Sequence, residues 1–404
     1  MTVGKVGAGR GLADLRFDNT LLVFELLRVA GPLTRSAISE ATGLTQPTVA
    51  SILHSLKAEN IVRSGSAVAT GGRKAFTYSV NHEALKVIAV DVQVHEIRGA
   101  VVDIAGNISD VHIWPAEYGP DSVAPFTRQL EDMVAKLYEV LRSHKRQPVA
   151  IGISLPVFLA EPDGRVLFAP SIGGEGLAVV EPLESQYRIP VCADNDARIG
   201  VLSEVWWKRQ DRRDTVVYLV ADHGVGSGMF INGEVFRGKY GTVGDIGHAV
   251  IDPRGRQCRC GQVGCLETFV SFFAIKEMLA KGGVDTSQFQ SLYQIVSAAL
   301  AGNETISQAL RDAAEYLSVA ISILNVLLAP DAIYLGGALE RAWDIIEPAI
   351  VRLQSRAPQV FTKNTQVRRS TYGEMASIMG AAALAFQRGL PAKAEGGLRL
   401  RANQ

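Results

Sequence analysis

Cysteine is scarce in this chain of 404 residues: there are four, and three fall within eight positions, Cys258 to Cys265. Long apolar runs are missing too. The opening stretch MTVGKVGAGRGLADLRF lacks the apolar core of a secretion signal, and the most apolar helix-like segment, LSVAISILNVLLAP, is too short and too polar to span a bilayer. These absences speak against a secreted or membrane-spanning protein; they make the cytoplasm the expected location and a membrane partner unexpected. Net charge is also lacking, with 41 Lys/Arg against 41 Asp/Glu, which excludes a chain basic or acidic throughout. The balance is uneven, however: residues 1–80 carry nine Lys/Arg against five Asp/Glu, and the remainder 32 against 36. A positive first segment points weakly to an anionic partner, so motifs must carry that reading. What remains is an ordinary globular composition, 47% hydrophobic and 20% charged, long enough for a sizeable core and two or three domains.

In the first segment the apolar positions Leu22, Leu26, Leu27 and Val29 predict a helix from about Asn19, halted by GPLT. Thr34 is a cap for a second helix, RSAISEAT, and Gly43 suits the left-handed residue that ends it. Thr45 is a cap for a third, QPTVASILHSLKAEN, with Pro47 in the first turn and Val49, Ile52, Leu53 and Leu56 at the spacing of a buried stripe. Gln46, Thr48, Ser51, His54 and Ser55 are left on or near the outer side. Short polar side chains at the start of such a helix suit base edges and phosphates in a major groove. Next, AVATGGRKAFTYSV alternates apolar and polar residues about a Gly-Gly turn, as a β-hairpin wing does, with Arg73 and Lys74 at its tip. Residues 1–80 therefore read as a winged helix-turn-helix that binds a double-stranded DNA operator, with Thr45, Gln46, Thr48, Ser51, Arg73 and Lys74 as candidate contacts. The plainer alternative is a small bundle whose polar face and GGRK turn are merely solvated.

Beyond Asn81, apolar β-like runs alternate with helices, the pattern of an α/β sheet core. Residues 81–103 read as a hairpin, and a similar strand, Gly-rich turn and strand recur at 215–235, which suggests two related lobes with a ligand cleft between them. Four motifs stand out: DNDAR at 194–198, GDIGH at 244–248, CRCGQVGCLE at 258–267 and IYLGGAL within 333–339. With them the chain resembles the ROK family (repressors, open reading frames and kinases), and within it the sugar-responsive repressors of the N-acetylglucosamine, xylose and glucose type. The resemblance implies a two-lobed, actin-like sugar-kinase fold over 81–388, followed by a loose basic tail at 389–404.

The resemblance also assigns roles. Asn195 and Asp196 match the family's sugar-binding pair, and Asp196 matches the aspartate that serves kinases as general base; as a dipeptide alone, Asn-Asp is more often an ordinary turn. Asp245 stands where the family has Glu, one methylene shorter. His248 matches a histidine that binds zinc through one ring nitrogen and can address the sugar with the other, and Glu267 matches a further sugar-contacting carboxylate. Cys258 and Cys260 are too close in sequence to bridge each other easily, and with Cys265 and His248 they form a Cys₃His set suited to structural Zn²⁺. A redox role for the trio is the alternative, and Cys192 is expected to be a buried core thiol.

Kinases of the family open their first lobe with a glycine-rich turn whose backbone approaches ATP phosphates. This chain has DVQVHEIRG there, with Val92, Gln93, Val94 and His95 in place of glycines and no following lysine, and the sugar-loop element reads SLPVFLAEPDG. The expectation is a non-catalytic regulator, forming a homodimer or homotetramer, whose operator binding responds to a sugar or sugar phosphate. A sugar kinase with an appended DNA-binding domain is the alternative.

Overall fold

Capping residues set the first helices. The computed structural model describes residues 12–390 except 71–72, 120–124, 161–163, 208–213, 240, 242 and 357–364, and also Lys393–Ala394 and Gly397–Leu398. Thr34 accepts a hydrogen bond from the Ala37 amide at 3.3 Å to start helix Arg35–Thr42, which ends on Gly43 at φ 69°. Thr45 accepts from the Thr48 amide at 3.4 Å to start helix Gln46–Ala58, and this helix buries Val49, Ile52, Leu53 and Leu56 as its spacing predicts. The first helix runs Leu12–Ala30, starting earlier than expected, and it buries Val23, Phe24 and Leu27 while Leu22 is 46% exposed. Six of the seven residues in LLVFELL are apolar, so periodicity cannot choose a face there. Burying Phe24 withdraws the most apolar area from water and settles the rotation. Strands β1 (Leu33–Thr34), β2 (Val62–Thr70) and β3 (Arg73–Val80) complete this head as a sheet of order β1-β3-β2.

The body repeats one topology twice. In the first lobe, β4 (Lys86–Val92), β5 (Glu96–Asp103) and β6 (Ile108–Pro115) form a meander, and β7 (Ile151–Leu155) and β10 (Val191–Asn195) add parallel to β4 on its other side. A separate pair, β8 (Phe158–Leu159) and β9 (Val166–Phe168), lies between β7 and β10 in the chain. In the second lobe β11 (Val216–Ala221), β12 (Val225–Ile231) and β13 (Glu234–Val235) form the meander, with β14 (Ala332–Gly336) and β15 (Gln366–Arg369) parallel to β11. The two five-stranded orders, β10-β7-β4-β5-β6 and β15-β14-β11-β12-β13, correspond strand for strand. Ligands in such sheets gather at the carboxyl ends of parallel strands. Here those ends carry Asp91, Ser154 and Asn195 in one lobe and the Ala221 and Gly336 turns in the other.

The residues Leu310, Ala313, Ala314, Leu317, Ile321 and Leu324 of helix Glu304–Leu328 are buried in the core of the second lobe. The head is not a separate bead: Phe24, Leu27 and Leu53 share one apolar core with Ile104, Ile199, Met379 and Phe386 of the body. The tail differs from the loose segment expected, since Lys393–Ala394 pairs antiparallel with Gly397–Leu398 close to helix Leu12–Ala30, so backbone hydrogen bonding gives part of it a fixed form. Cys192 is half-buried rather than fully buried, because β10 is an edge strand. Its thiol still donates to the Ile151 carbonyl at 3.4 Å, and burial pushes it up to about 12. Among the described residues, no helix is long and apolar enough to cross a membrane.

Candidate ligand cleft and metal centre

Helix Asp196–Trp206 begins where β10 ends, and its first turn supplies the floor of the cleft. Asn195 caps this helix, its Oδ1 accepting from the Ala197 amide at 3.1 Å while Nδ2 donates to the Val157 carbonyl at 3.4 Å. The turn role and the cleft-lining role thus coincide in one side chain. Asp196 lies beside it; burial, then the nearby charge of Asp91 and Asp245, pushes its carboxyl up to about 7 against the Ala197 amide bond that opposes the shift. The outer residues of DNDAR are scaffold: Arg198 Nε donates to Asp194 Oδ1 at 2.7 Å, Arg237 meets Asp194 Oδ2 at 2.6 Å, and Arg198 Nη1 donates to the Gly241 carbonyl at 2.6 Å. These buried pairs hold the segment leading into GDIGH against the start of the helix.

In GDIGH, Gly244 has φ 106°, and a Cβ there would meet the Ser227 carbonyl oxygen at 1.9 Å, so only glycine fits. Asp245 and His248 follow on one short turn, with Asp245 Oδ2 3.7 Å from His248 Nε2, and burial raises the Asp245 carboxyl. Glu267 is 9% exposed and its Oε1 accepts from Arg259 Nη2 at 3.0 Å. Asn195, Asp196, Asp245, His248 and Glu267, read from separate motifs, therefore line one cavity of about 460 Å³.

His248 faces two ways. Its Nδ1 is 3.5 Å from Cys258 Sγ while Nε2 points to Asp245. Cys260 and Cys265 Sγ are 3.6 Å apart, too far for a disulfide, and the four ligand atoms of His248, Cys258, Cys260 and Cys265 all lie within 4.8 Å of one another. A tetrahedral zinc with bonds of about 2.3 Å to sulfur and about 2.0 Å to nitrogen spaces its ligands by about 3.5–3.8 Å, so the donor set fits such an ion. Gly264 makes the loop possible: at φ 77° it lies so close to Asp252 that a Cβ would overlap that residue's carbonyl oxygen.

The other half of the cavity is built by residues that local motifs did not reveal. The β4–β5 turn brings His95 and the β11–β12 turn brings His223, their rings 5.3 Å apart and edge to face, with Phe272 behind them at 6.4 and 5.9 Å. Partial burial lowers both imidazoles, His223 to about 4. Asp91 and Asp222 lie deeper, raised chiefly by burial, Asp222 to about 7. Arg98 pairs with Glu96, donates to the Glu374 carbonyl at 2.8 Å and lies 3.9 Å from its carboxylate; Arg341 meets the same carboxylate at 3.0 Å. Among these, the DVQVHEIRG turn with His95 stood out in the sequence, and His223 falls in the Gly-rich turn noted within 215–235. Arg98, Arg341 and Glu374 come from distant segments that only the two-lobed fold assembles.

On the head, Gln46 and Ser51 are exposed, as expected of an outer face, while the Thr45 and Thr48 hydroxyls lie 2.8 Å apart and satisfy each other. In the hairpin, Thr70 pairs with Arg73 and Ala69 with Lys74; the Gly-Gly turn and the side chains of Arg73 and Lys74 lie outside the described residues. Behind this face Arg28 stacks on the Trp206 ring at 4.1 Å and donates to the Trp206 carbonyl at 2.8 Å, joining the head to the far end of the helix that begins in the cleft.

Comparison with known proteins bears on the family and the fold. The ROK family model matches residues 87–388. A putative xylose repressor of Caldicellulosiruptor sp. (strain Rt8B.4) is 26% identical over 381 residues, covering 91% of this chain and 94% of the relative. The DNA-binding transcriptional dual regulator NagC of Escherichia coli (strain K12) is 27% identical over 375 residues, 91% of each chain. The crystal structure of a ROK family transcriptional regulator, a homolog of the E. coli MLC protein, superposes with a TM-score of 0.78 at 24% identity over 94% of this chain and 98% of its own. A ROK glucokinase from Streptomyces griseus, solved with glucose and AMPPNP, superposes at 0.63 and 23% identity, over 99% of its length and 75% of this chain.

Proposed function

Because the chain belongs to the ROK family, we propose that it is a sugar-responsive DNA-binding transcriptional regulator, a repressor whose operator affinity is set by a sugar in a non-catalytic cleft. One observation carries the reading: the helix that starts at the Asn195–Asp196 floor of the cleft ends at Trp206, against Arg28 of the head. Eleven residues make a rod of about 16 Å, so a ligand that tilts or tightens the first turn moves the docking surface of the head. A ligand shifts DNA affinity only through its differential binding to the two arrangements, commonly a coupling of about 1–3 kcal/mol.

In this reading helix Gln46–Ala58 enters the major groove with Gln46, Thr48 and Ser51 leading, and Arg73 and Lys74 of the hairpin approach the minor groove or phosphates. A homodimer or homotetramer presents two heads to a pseudo-palindromic operator. Asp196, Asp245 and Glu267 accept sugar hydroxyls. His248, Cys258, Cys260 and Cys265 hold structural Zn²⁺, which fixes the loop so that His248 and Glu267 face the ligand.

Asp196, with its carboxyl near 7, also has the acidity of a general base, and this favours sugar kinase as the second reading. The replacement of close-approach glycines by Gln93, Val94 and His95 favours the regulator. Selection of random-sequence duplexes on the full chain, with an ADP-release assay on ATP plus candidate sugars, separates the two. A recurrent, salt-sensitive DNA motif without sugar-dependent ADP release supports the regulator; turnover without sequence-specific DNA binding overturns it.

A further inference from the structure

Beyond Asn195 and Asp196 the cavity extends between the β4–β5 and β11–β12 turns, past His95 and His223. Two features of this chain indicate what ligand fits there. The first is charge. Three arginines line the cavity, and each is already paired with a carboxylate: Arg259 with Glu267 at 3.0 Å, Arg98 with Glu96 and Glu374, and Arg341 with Glu374 at 3.0 Å. No lysine is among the described residues that line it. The same wall carries Asp91, Asp196, Asp222 and Asp245. A phosphate, whether of a nucleotide or of a sugar ester, would have to take an arginine from an existing carboxylate partner.

The second feature is shape. His95, which is exposed, and His223 close the gap between the two hairpin turns with ring faces and edges, and Tyr293 lines the same half. Carboxylates that accept hydroxyls, beside aromatic rings that pack on C–H faces, are what a carbohydrate ring needs. The cavity of about 460 Å³ is continuous from Asn195 and Asp196 to Tyr293 and Arg341, within the range of sites that enclose ligands larger than one small ring.

We infer that the half of the cleft lined by His95, His223 and Tyr293 is a second saccharide subsite, and that the effector is an uncharged disaccharide or glycoside with one ring at Asn195–Asp196 and the next against His95 and His223. This rests on the sugar-responsive reading above and narrows it, excluding sugar phosphates. Burial keeps Asp222 near 7, so part of the population offers a neutral carboxyl that can donate to a hydroxyl as well as accept from one.

The test is calorimetric titration of the full-length protein with D-glucose, D-glucose 6-phosphate, maltose, cellobiose and gentiobiose, and with D-xylose and xylobiose. The tightest ligand should be an uncharged disaccharide, and the phosphate ester should bind more weakly than free glucose. His95→Ala, on an exposed turn, should weaken the disaccharide about three- to tenfold more than the monosaccharide. A monosaccharide or the phosphate ester binding tightest, or His95→Ala weakening both sugars equally, overturns the second subsite while leaving the sugar reading intact. If none of these saccharides binds, the sugar reading itself falls, and the subsite with it.

Discussion

Asp196 carries an electrostatic burden that a pH series exposes. Its carboxyl is raised to about 7 by burial, whereas in the unfolded chain it ionises near the ordinary aspartate value of about 4. Between those values the folded state holds a proton that the unfolded state does not, so this group's contribution to stability falls as pH rises through that window and stays low above it. Asp196→Asn should therefore melt higher than the parent at pH 8 and close to it at pH 4; an equal gap at both pH values in thermal denaturation would contradict the burial. At this scale the sequence was informative where a motif is local. DNDAR, GDIGH and the cysteine loop marked Asn195, Asp196, Asp245, His248 and Glu267, and all five line the cavity. It was blind to the division of labour inside a motif: Asp194 and Arg198 are as polar as their neighbours, yet they meet as a buried ion pair across the strand-to-helix turn while Asn195 and Asp196 between them line the cavity. It was blind also to the meeting of Arg98 and Arg341 on Glu374, which tertiary structure alone brings about.

Helix Asp196–Trp206 joins the cleft to the head. Arg28 is the one side chain described here that both stacks on and hydrogen-bonds the end of helix Asp196–Trp206. Arg28→Ala should leave operator binding without ligand within about threefold of the parent and lower the ligand-induced change in affinity several-fold, read by fluorescence anisotropy of labelled operator. An undiminished response would show that the head is moved by another route. The cysteine loop gives a second expectation. Removing the metal with a chelator, or replacing Cys265 by Ser, should abolish saccharide binding in calorimetry while the head still shifts operator DNA, and metal analysis should find about one zinc per parent chain and none in the variant. Loss of DNA binding before saccharide binding would contradict a scaffold confined to the cleft. Caps made the second and third helices legible, since Thr34, Gly43 and Thr45 act through local hydrogen bonds and backbone sterics. The first helix was misplaced in start and face because LLVFELL is apolar nearly all round, and packing against the body decided its rotation.

Across the whole molecule, one apolar core runs from the head into the first lobe, so under the proposed function a change in the cleft has a packed path to the head. Residues 1–80 carry nine Lys/Arg against five Asp/Glu, a balance that suits an anionic partner. Arg73→Ala should weaken operator binding and make the plot of log affinity against log salt shallower by about 1, and an unchanged slope would remove Arg73 from the phosphate contacts. The duplicated sheet orders were visible as two hairpin signals at 81–103 and 215–235, but the way the lobes enclose a cavity depends on long-range contacts that no local pattern encodes. The most direct measurement is the operator dissociation constant of the full-length protein, by anisotropy at fixed salt, with and without a saturating saccharide. A weakening by about 5- to 150-fold is predicted, the range of a coupling of about 1–3 kcal/mol; an identical constant with the cleft filled would contradict a sugar-responsive repressor.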